Sequence, residues 1–273
     1  MLTVETRQAI DPAAARGFDT AALRRHFHLG GLFADGEIRL VYTHYDRMTV
    51  GGAVPAGGAL VLDEVREAGT PSFLDRREMV VVNIGAEGRV RAGETFAMDK
   101  GDMLYLGRGA GPVTFEGAGR FYILSAPAHA TLPSRLVRIG EAARVELGAR
   151  ETSNERVIHQ FVHPDVMPSC QLVVGMTRLA SGSVWNTMPA HVHDRRMEAY
   201  LYIDLAPTAR VFHMMGEPAE TRSLVIANEE GALSPPWSIH CGAGTSNYTF
   251  IWAMAGDNTD YRDVEMVAME ELR

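Results

Sequence analysis

The chain has 273 residues, of which 46% are hydrophobic and 22% charged, and its formal net charge is −8. This balance is typical of a globular protein with one large domain or two of ordinary size, and it excludes extensive disorder. The sequence has no run rich in Lys and Arg, so it offers no electrostatic basis for binding nucleic acid or an anionic membrane. We therefore expect neither as a partner.

The cysteine content and the first residues bear on the cellular compartment. Cys170 and Cys241 are too few for a disulfide framework and suit a reducing compartment, and we expect both in the core. The opening segment "MLTVETRQAIDPAAARGFDT" carries acidic residues early and has no continuous apolar stretch, which predicts neither a signal peptide nor a membrane span. A cytoplasmic location is the expectation.

Helical patterns are scarce. The segment "DPAAARGFDTAALRRHFHL" (11–29) predicts one or two short helices, with Asp19 or Thr20 as an N-cap. The C-terminal "VEMVAMEELR" (264–273) is a weaker helix candidate.

Most of the remaining chain reads as short strands. Apolar or alternating runs recur between turns rich in Gly, Pro, Asn and Asp, which favours a β-sandwich or barrel. The main runs are "IRLVYTHYDRMTVGG" (38–52), "EMVVVNIGAEGRVRAG" (78–93), "FYILSAPAH" (121–129), "CQLVVGMTRL" (170–179), "EAYLYIDL" (198–205), "ARVFHMMG" (209–216), "SLVIANEEGAL" (223–233) and "YTFIWAMAG" (248–256).

The pattern of residues 73–128 recurs in residues 192–256, and an Asp-Arg-Arg lies near the start of each copy. A long, weak repeat of this kind predicts two similar domains rather than a solenoid. The predicted division is an N-terminal arm with a short helix (1–30), a first barrel without metal ligands (31–135), a connector (136–155) and a metal-binding barrel (156–273).

One group of residues carries chemistry. In "HVHDRRMEAY" (191–200), His191 and His193 are two apart and therefore share one face of a strand, and Glu198 follows. His240 comes later, in "PPWSIHCG" (235–242), where a Pro-Pro turn presents it rigidly. Three imidazoles and a carboxylate suit a divalent Zn, Fe, Mn, Co or Ni ion, among which these ligands discriminate poorly.

The same residues carry a family resemblance. Gly182, "HVH", Glu198, Gly231 and "PWSIH" resemble the two metal-binding motifs of the cupin superfamily. Longer segments, among them "FLDRREMVVVNIG", "TSNERVIHQF", "VFHMMGEPAETR" and "SPPWSIHCGAGTSNYTFIWAMAGDN", resemble the 4-deoxy-L-threo-5-hexosulose-uronate ketol-isomerase family over nearly the whole chain.

That resemblance implies a mainly β fold of two tandem cupin-like double-stranded β-helix (jelly-roll) barrels with a few short helices. It also implies one Zn²⁺ per subunit, held by His191, His193, Glu198 and His240, and a homo-oligomer, specifically a hexamer. The implied reaction is the isomerisation of 5-dehydro-4-deoxy-D-glucuronate to 3-deoxy-D-glycero-2,5-hexodiulosonate in pectin and uronate degradation.

The residues themselves leave the proton-transfer group and the substrate contacts open. His213, Tyr200 and Tyr202 are candidates for moving the proton, with Glu229 and Glu230 also conceivable. A substrate carboxylate calls for an arginine, because the planar guanidinium matches carboxylate geometry. The arginine candidates, in order, are Arg196, Arg195 and Arg178.

Three other functions compete with the uronate ketol-isomerase. They are a 5-deoxy-glucuronate isomerase of inositol catabolism, an Fe(II) cupin dioxygenase, and a sugar-acid-binding cupin without catalytic activity. Substrate comparison separates the first, and bound iron with oxygen consumption separates the second. An intact set of metal ligands argues against the third.

Overall fold

The computed structural model of the protein describes residues 1–187, 189–257 and 262–273. The described residues are mainly β, as the sequence predicted. The strands are β1 (Leu2–Arg7), β2 (His28–Leu29), β3 (Glu37–Thr43), β4 (Thr49–Val54), β5 (Leu60–Leu62), β6 (Arg77–Asn83), β7 (Gly88–Ala92), β8 (Glu94–Met98), β9 (Met103–Leu106), β10 (Val113–Gly117), β11 (Phe121–Pro127), β12 (Arg135–Val137), β13 (Ala143–Leu147), β14 (Arg156–Val162), β15 (Val173–Leu179), β16 (Trp185–Asn186), β17 (His191–Val192), β18 (Arg196–Ile203), β19 (Val211–Glu217), β20 (Glu220–Ile226), β21 (Glu230–Ser234), β22 (Cys241–Gly244), β23 (Thr249–Gly256) and β24 (Glu265–Met266).

The two predicted N-terminal helices are confirmed as α1 (Pro12–Ala15) and α2 (Thr20–Phe27). Asp19 is the N-cap of α2, because its side chain accepts from the backbone N–H of Ala22 at 2.8 Å. Single 3₁₀ turns occupy Arg66–Ala68, Ile139–Glu141, Arg150–Thr152 and Met269–Glu271. In the described part of the chain, no helix combines the length and the apolar character needed to cross a membrane.

The C-terminal helix expected over residues 264–273 is wrong. Strand β24 instead pairs antiparallel with β17, and only the 3₁₀ turn follows it. The backbone N–H of Val267 donates to Ala190 at 2.9 Å, and the Val267 side chain is buried. Pairing with a distant strand therefore outweighs the weak local helix propensity.

The chain forms two compact units. The first comprises residues 1–7, 31–142 and 161–174, and the second comprises residues 8–30, 143–160 and 175–273. The sequence-based boundaries 1–30, 31–135, 136–155 and 156–273 stay predictions.

The first unit contains a seven-stranded sheet of order β1-β3-β4-β11-β6-β9-β12 and a four-stranded sheet of order β5-β10-β7-β8. Its apolar core lies between the two sheets, because both contribute buried side chains such as Met79, Val81, Phe115 and Phe121. Alternation along each strand directs every second side chain into this core.

The second unit repeats most of this arrangement, but its first edge strand differs, because β13 pairs antiparallel with β14 whereas β1 pairs parallel with β3. Its seven-stranded sheet has the order β13-β14-β15-β23-β18-β21-β2, and its four-stranded sheet the order β16-β22-β19-β20. The short pair β17-β24 is additional. Strand β2, at one edge of the larger sheet, comes from the N-terminal segment 8–30 rather than from the C-terminal half.

The backbone requires glycine at the two motif positions, 182 and 231, for different reasons. Gly182 has a φ of +86°, which L-residues with side chains rarely adopt, in the turn between β15 and β16. At Gly231 a Cβ atom would lie 1.9 Å from the carbonyl oxygen of Tyr200. Gly231 therefore lets β21 approach β18, the strand that carries Glu198.

Candidate metal centre

Four side chains predicted as metal ligands meet in the second unit. The nitrogen or carboxylate atoms that His191, His193, Glu198 and His240 can offer a metal all lie within 4.8 Å of one another. His191 lies on β17 and Glu198 on β18, and His240 directly precedes β22. The structure thus brings together residues separated by up to 49 positions in the sequence.

The distances within this group match the edges of a metal coordination shell. The Nε2 atom of His240 lies 3.0 Å from Nε2 of His191 and 3.2 Å from Nε2 of His193. One carboxylate oxygen of Glu198 lies 3.2 Å from Nε2 of His193 and 3.1 Å from Nε2 of His240. Tetrahedral bonds to zinc of about 2.0–2.1 Å place ligand atoms about 3.3 Å apart.

Backbone carbonyls orient two of the imidazoles. Nδ1 of His191 lies 3.3 Å from the carbonyl oxygen of Pro189, and Nδ1 of His240 lies 3.3 Å from that of Ser238. A carbonyl only accepts, so each Nδ1 carries the proton and each Nε2 presents a lone pair. The two lone pairs face each other and the Glu198 carboxylate, an arrangement that a cation stabilises.

His193 is held differently, by an arginine. Nε of Arg196 donates to Nδ1 of His193 at 3.0 Å, and its NH2 group donates to the carbonyl of Asp263 at 3.0 Å. The proton of the neutral His193 ring therefore lies on Nε2, facing Glu198. Binding of a metal at Nε2 would require that proton to move to Nδ1. Arg196 is 1% exposed. Arg196 therefore holds the His193 ring from within the protein.

Burial and mutual proximity shift the pKa values of the group. Burial by itself raises the pKa of Glu198, but His240 and His193 outweigh it and hold that pKa well below its usual range. Burial, with His240 and His193 adding to it, lowers the pKa of His191 to about 3. The carboxylate is thus ionised and His191 neutral near pH 7, the protonation states that bind a metal.

A cavity of about 440 Å³ opens at this group. Besides His191, His193 and Glu198, its wall includes the apolar residues Ile158, Phe250, Trp252 and Met254 and the polar residues Arg156, Asn186, Thr187, Tyr200 and Arg262. Apolar walls with a few polar groups and a volume of this size are typical of small-molecule sites.

The three predicted substrate arginines do not line this cavity. Arg196 is committed to His193 and Asp263, and Arg195 pairs with Asp263 at the surface. Arg178 borders a separate groove. For Arg178 the reason is the alternation of side chains along a strand. Thr177 faces the cavity, so its neighbour Arg178 points to the other face of β15.

Arg156 and Arg262 line the cavity wall instead, and neither was predicted as a site residue. The side chain of Arg156 is half-buried, NH1 donates to the carbonyl of Asn154 at 3.0 Å, and its buried Nε has no partner among the described residues. Burial lowers the pKa of Arg156. A charged residue opening the apolar run "RVIHQFV" of β14 was the available signal.

Of the candidates for proton transfer, only Tyr200 lines the described cavity. Its hydroxyl lies 3.5 Å from Oγ1 of Thr187. Tyr202 and His213 are buried outside the cavity wall and bond to each other at 2.8 Å. Glu230 contacts His28 at 3.1 Å and is not a cavity residue. Glu229 is also absent from the described cavity wall.

Neither cysteine belongs to the described metal-binding group. Cys241 is buried, as expected, and burial raises the pKa of its thiol to about 12. Cys170 is only half-buried, so it does not lie fully in the core as expected.

Solved structures of similar fold define the class. An IolB-like protein from Salmonella typhimurium LT2 aligns with a TM-score of 0.67 at 18% identity, covering 81% of this chain and 86% of that one. The Bacillus subtilis oxalate decarboxylase, a protein with Mn(II) centers, aligns with a TM-score of 0.53 at 13% identity, covering 80% and 71%. These similarities show a cupin-like fold, and within it three histidines and a glutamate form a candidate metal site.

The family is more specific. The chain belongs to the KduI/IolB family, whose model matches residues 28–271. A 4-deoxy-L-threo-5-hexosulose-uronate ketol-isomerase from Cereibacter sphaeroides (strain ATCC 17029 / ATH 2.4.9) is 70% identical over the full length of both chains. Proteins of the same name from Agrobacterium fabrum (strain C58 / ATCC 33970) and Shouchella clausii (strain KSM-K16) are 62% and 50% identical, covering at least 99% of each chain.

Acidification is expected to destabilise the protein through His213. Burial lowers its pKa to about 3 from an ordinary 6.5, so between these values the unfolded chain binds a proton that the folded chain does not. Stability is therefore complete above pH 6.5 and falls as the pH decreases towards 3, by about 2 kcal/mol between pH 7 and 5 for this residue. Urea unfolding of chelator-treated wild type and His213→Gln at both pH values measures it. Equal pH dependence in the two proteins would contradict the prediction.

Proposed function

We propose that the protein isomerises 5-dehydro-4-deoxy-D-glucuronate to 3-deoxy-D-glycero-2,5-hexodiulosonate in uronate degradation. The observation that carries the proposal is the convergence of His191, His193, Glu198 and His240 at a cavity large enough for a six-carbon sugar acid. The relatives that share this chain's full length at 50–70% identity are named for this ketol-isomerase activity, which supports the same substrate.

Zinc is the proposed metal. Three imidazoles and one carboxylate are ligands that zinc takes, and the described spacing fits its tetrahedral edge lengths. When bound, zinc would supply a Lewis acid that polarises the sugar carbonyl and acidifies the adjoining C–H bond. The protein's part is to hold His191 and His240 in the tautomer that presents Nε2, and to keep Glu198 ionised.

Tyr200 is the proposed proton-holding group at the sugar. Burial raises its pKa well above the ordinary value, with nearby Glu198 adding to the effect. Its hydroxyl therefore stays protonated and can donate to a sugar oxygen that gains negative charge as a proton leaves the neighbouring carbon. Asn186 and Thr187 stand beside it and offer hydrogen bonds to the sugar hydroxyls.

Arg156 and Arg262 are the proposed carboxylate-binding residues. Both line the cavity, and the buried Nε of Arg156 supplies a donor without a partner among the described side chains. A desolvated guanidinium gains most from an anion that bonds it in its own plane. The carboxylate of the uronate has that geometry, and an uncharged sugar does not.

A homo-oligomer, and specifically a hexamer, is also proposed. Strand β13 forms one edge of its sheet and exposes Val145 and Leu147, and edge strands are usually covered. Light scattering of the purified protein is expected to give the mass of six chains; a monomer would contradict it.

Metal dependence is tested by turnover of 5-dehydro-4-deoxy-D-glucuronate under anaerobic conditions. Activity is expected to disappear on chelation and to return with zinc. Glu198→Gln is expected to lose bound zinc and at least 100-fold in kcat/KM, because the buried carboxylate is replaced by a neutral amide. The exposed Glu270→Gln is the matched control and should behave as wild type.

Several outcomes would sink this proposal. If the zinc-loaded protein does not turn over 5-dehydro-4-deoxy-D-glucuronate, the substrate assignment is wrong. If it isomerises 5-deoxy-glucuronate faster than the proposed substrate, the inositol-pathway reaction is assigned instead. Activity that requires iron and consumes oxygen would assign a dioxygenase. Binding of the uronate without any reaction would leave a sugar-acid-binding cupin.

Two cavity variants separate substrate binding from chemistry. Arg156→Gln is expected to raise KM at least 10-fold because it removes a charge-assisted contact, whereas Tyr200→Phe is expected to lower kcat about 100-fold with little change in KM. Arg178→Gln, one strand away and outside the cavity, is the control for loss of an arginine. Steady-state kinetics measures KM and kcat of each variant, and the zinc content of each sample is measured alongside. An unchanged KM in Arg156→Gln would remove Arg156 from carboxylate binding.

A further inference from the structure

The turn formed by residues 234–240, here called the ligand turn, contacts two of the proposed metal ligands. The backbone N–H of His193 donates to the carbonyl of Pro236 at 3.3 Å. Nδ1 of His240 lies 3.2 Å from Oγ of Ser234 and 3.3 Å from the carbonyl of Ser238. The position of this turn therefore fixes both His193 and His240.

The turn is braced from within its own unit. The backbone N–H of Ser238 donates to Pro235 at 2.9 Å, and the N–H of Ile239 donates to Gly216 on β19 at 2.9 Å. The hydroxyl of Ser238 accepts from the N–H of Gly216 at 2.9 Å. These bonds hold the residues on the C-terminal side of Trp237, and none of them involves the Trp237 side chain.

Trp237 attaches the ligand turn to the N-terminal segment 8–30, here called the arm. Its indole Nε1 donates to the carbonyl of Ile10 at 3.2 Å. Its ring meets that of Phe27 edge-on, with centroids 6.0 Å apart and an interplanar angle of 85°. Phe27 is 0% exposed, so the arm contributes a fully buried aromatic group at this junction.

The arm is itself anchored to the strand that leads into the turn. Strand β2, at the end of the arm, pairs with β21, and β21 ends at Ser234 where the turn begins. His28 on β2 contacts Glu230 on β21 at 3.1 Å. Arg24 on α2 donates to the carbonyl of Val225 on β20 at 3.0 Å. The arm therefore holds the turn both through Trp237 and through β21.

We propose that the arm is part of the metal site: through Phe27 and Ile10 it fixes Trp237, and Trp237 fixes the turn that places His193 and His240. Trp237 is a positioning residue, since it acts through the turn and is not a ligand. This inference rests on the proposed metal site. It assigns a function to a segment that lies about 200 residues before His240 in the sequence and that contributes none of the four ligands.

The test measures metal affinity and metal geometry directly in the full-length protein. Zinc affinity is determined by competition with a chromophoric chelator, and the coordination geometry by the visible absorption of Co²⁺-loaded protein. The variants are Phe27→Ala, Trp237→Ala and Trp237→Phe, which keeps an aromatic ring but loses the bond to Ile10. Leu179→Ala is the matched control, because Leu179 is buried on β15 of the same unit and contacts neither the arm nor the turn in the described hydrogen bonds.

Phe27→Ala and Trp237→Ala are expected to weaken zinc binding at least 10-fold and to change the Co²⁺ spectrum. Trp237→Phe is expected to show an intermediate loss of zinc affinity, about 3-fold, because it keeps the ring beside Phe27 but loses the hydrogen bond to Ile10. Leu179→Ala is expected to lower the melting temperature while its zinc affinity stays within 2-fold of wild type and its Co²⁺ spectrum stays the same.

Two results would overturn the role of the arm. One is wild-type affinity and spectrum in the Phe27 and Trp237 variants, with Trp237→Phe deciding if either alanine variant fails to fold. The other is a loss of affinity in Leu179→Ala equal to theirs, which would mean that affinity follows global stability. If the wild-type protein binds neither zinc nor cobalt, both the proposed metal site and this inference are wrong. If the wild-type protein binds zinc but does not convert the uronate, only the proposed reaction is wrong.

Discussion

The centre of the second unit holds two imidazole lone pairs, on Nε2 of His191 and Nε2 of His240, that face each other without a proton between them. Carbonyls of Pro189 and Ser238 hold the Nδ1 protons of His191 and His240, so their Nε2 atoms, 3.0 Å apart, both present lone pairs towards the Glu198 carboxylate. Such a group is costly to bury unless a cation joins it. The surrounding contacts, from the ligand turn to the arm, hold this arrangement in place, and the cavity places a substrate next to it.

Comparison of the two units shows which features belong to the fold and which to the site. Strands β6 and β18 have the same place in their sheets, and each begins with a buried arginine, Arg77 or Arg196. Arg77 bonds to Ser125 and to the carbonyl of Arg47, so the repeated Asp-Arg-Arg has a structural role in the first unit. The third residue is Met79 in β6 and Glu198 in β18. At this position an apolar side chain therefore packs into the core of the first unit, where the second unit has a carboxylate at the wall of its cavity.

Local sequence was enough to predict the features that depend on short-range chemistry. The closeness of His191 and His193, the Pro-Pro turn before His240 and the acidic N-cap of α2 each have a local cause, and the structure shows them, although β17 ends at Val192 and His193 follows it. Features that depend on which strands become neighbours were missed. Arg156 comes from β14, distant in sequence from the ligands, and the C-terminal segment became β24 because it pairs with β17.

The sequence by itself determined the mainly β class, the family and the four side chains that meet at the candidate metal centre, because strand alternation, residue type and motif spacing can be read within short segments. Only the tertiary structure decided which arginine reaches the cavity and which tyrosine lines it, and that the arm completes the sheet beside the ligand turn. The physical reason is that these outcomes depend on the pairing and facing of distant strands. Neighbouring residues such as Thr177 and Arg178 look equally available in the sequence, yet the pleat sends them to opposite faces.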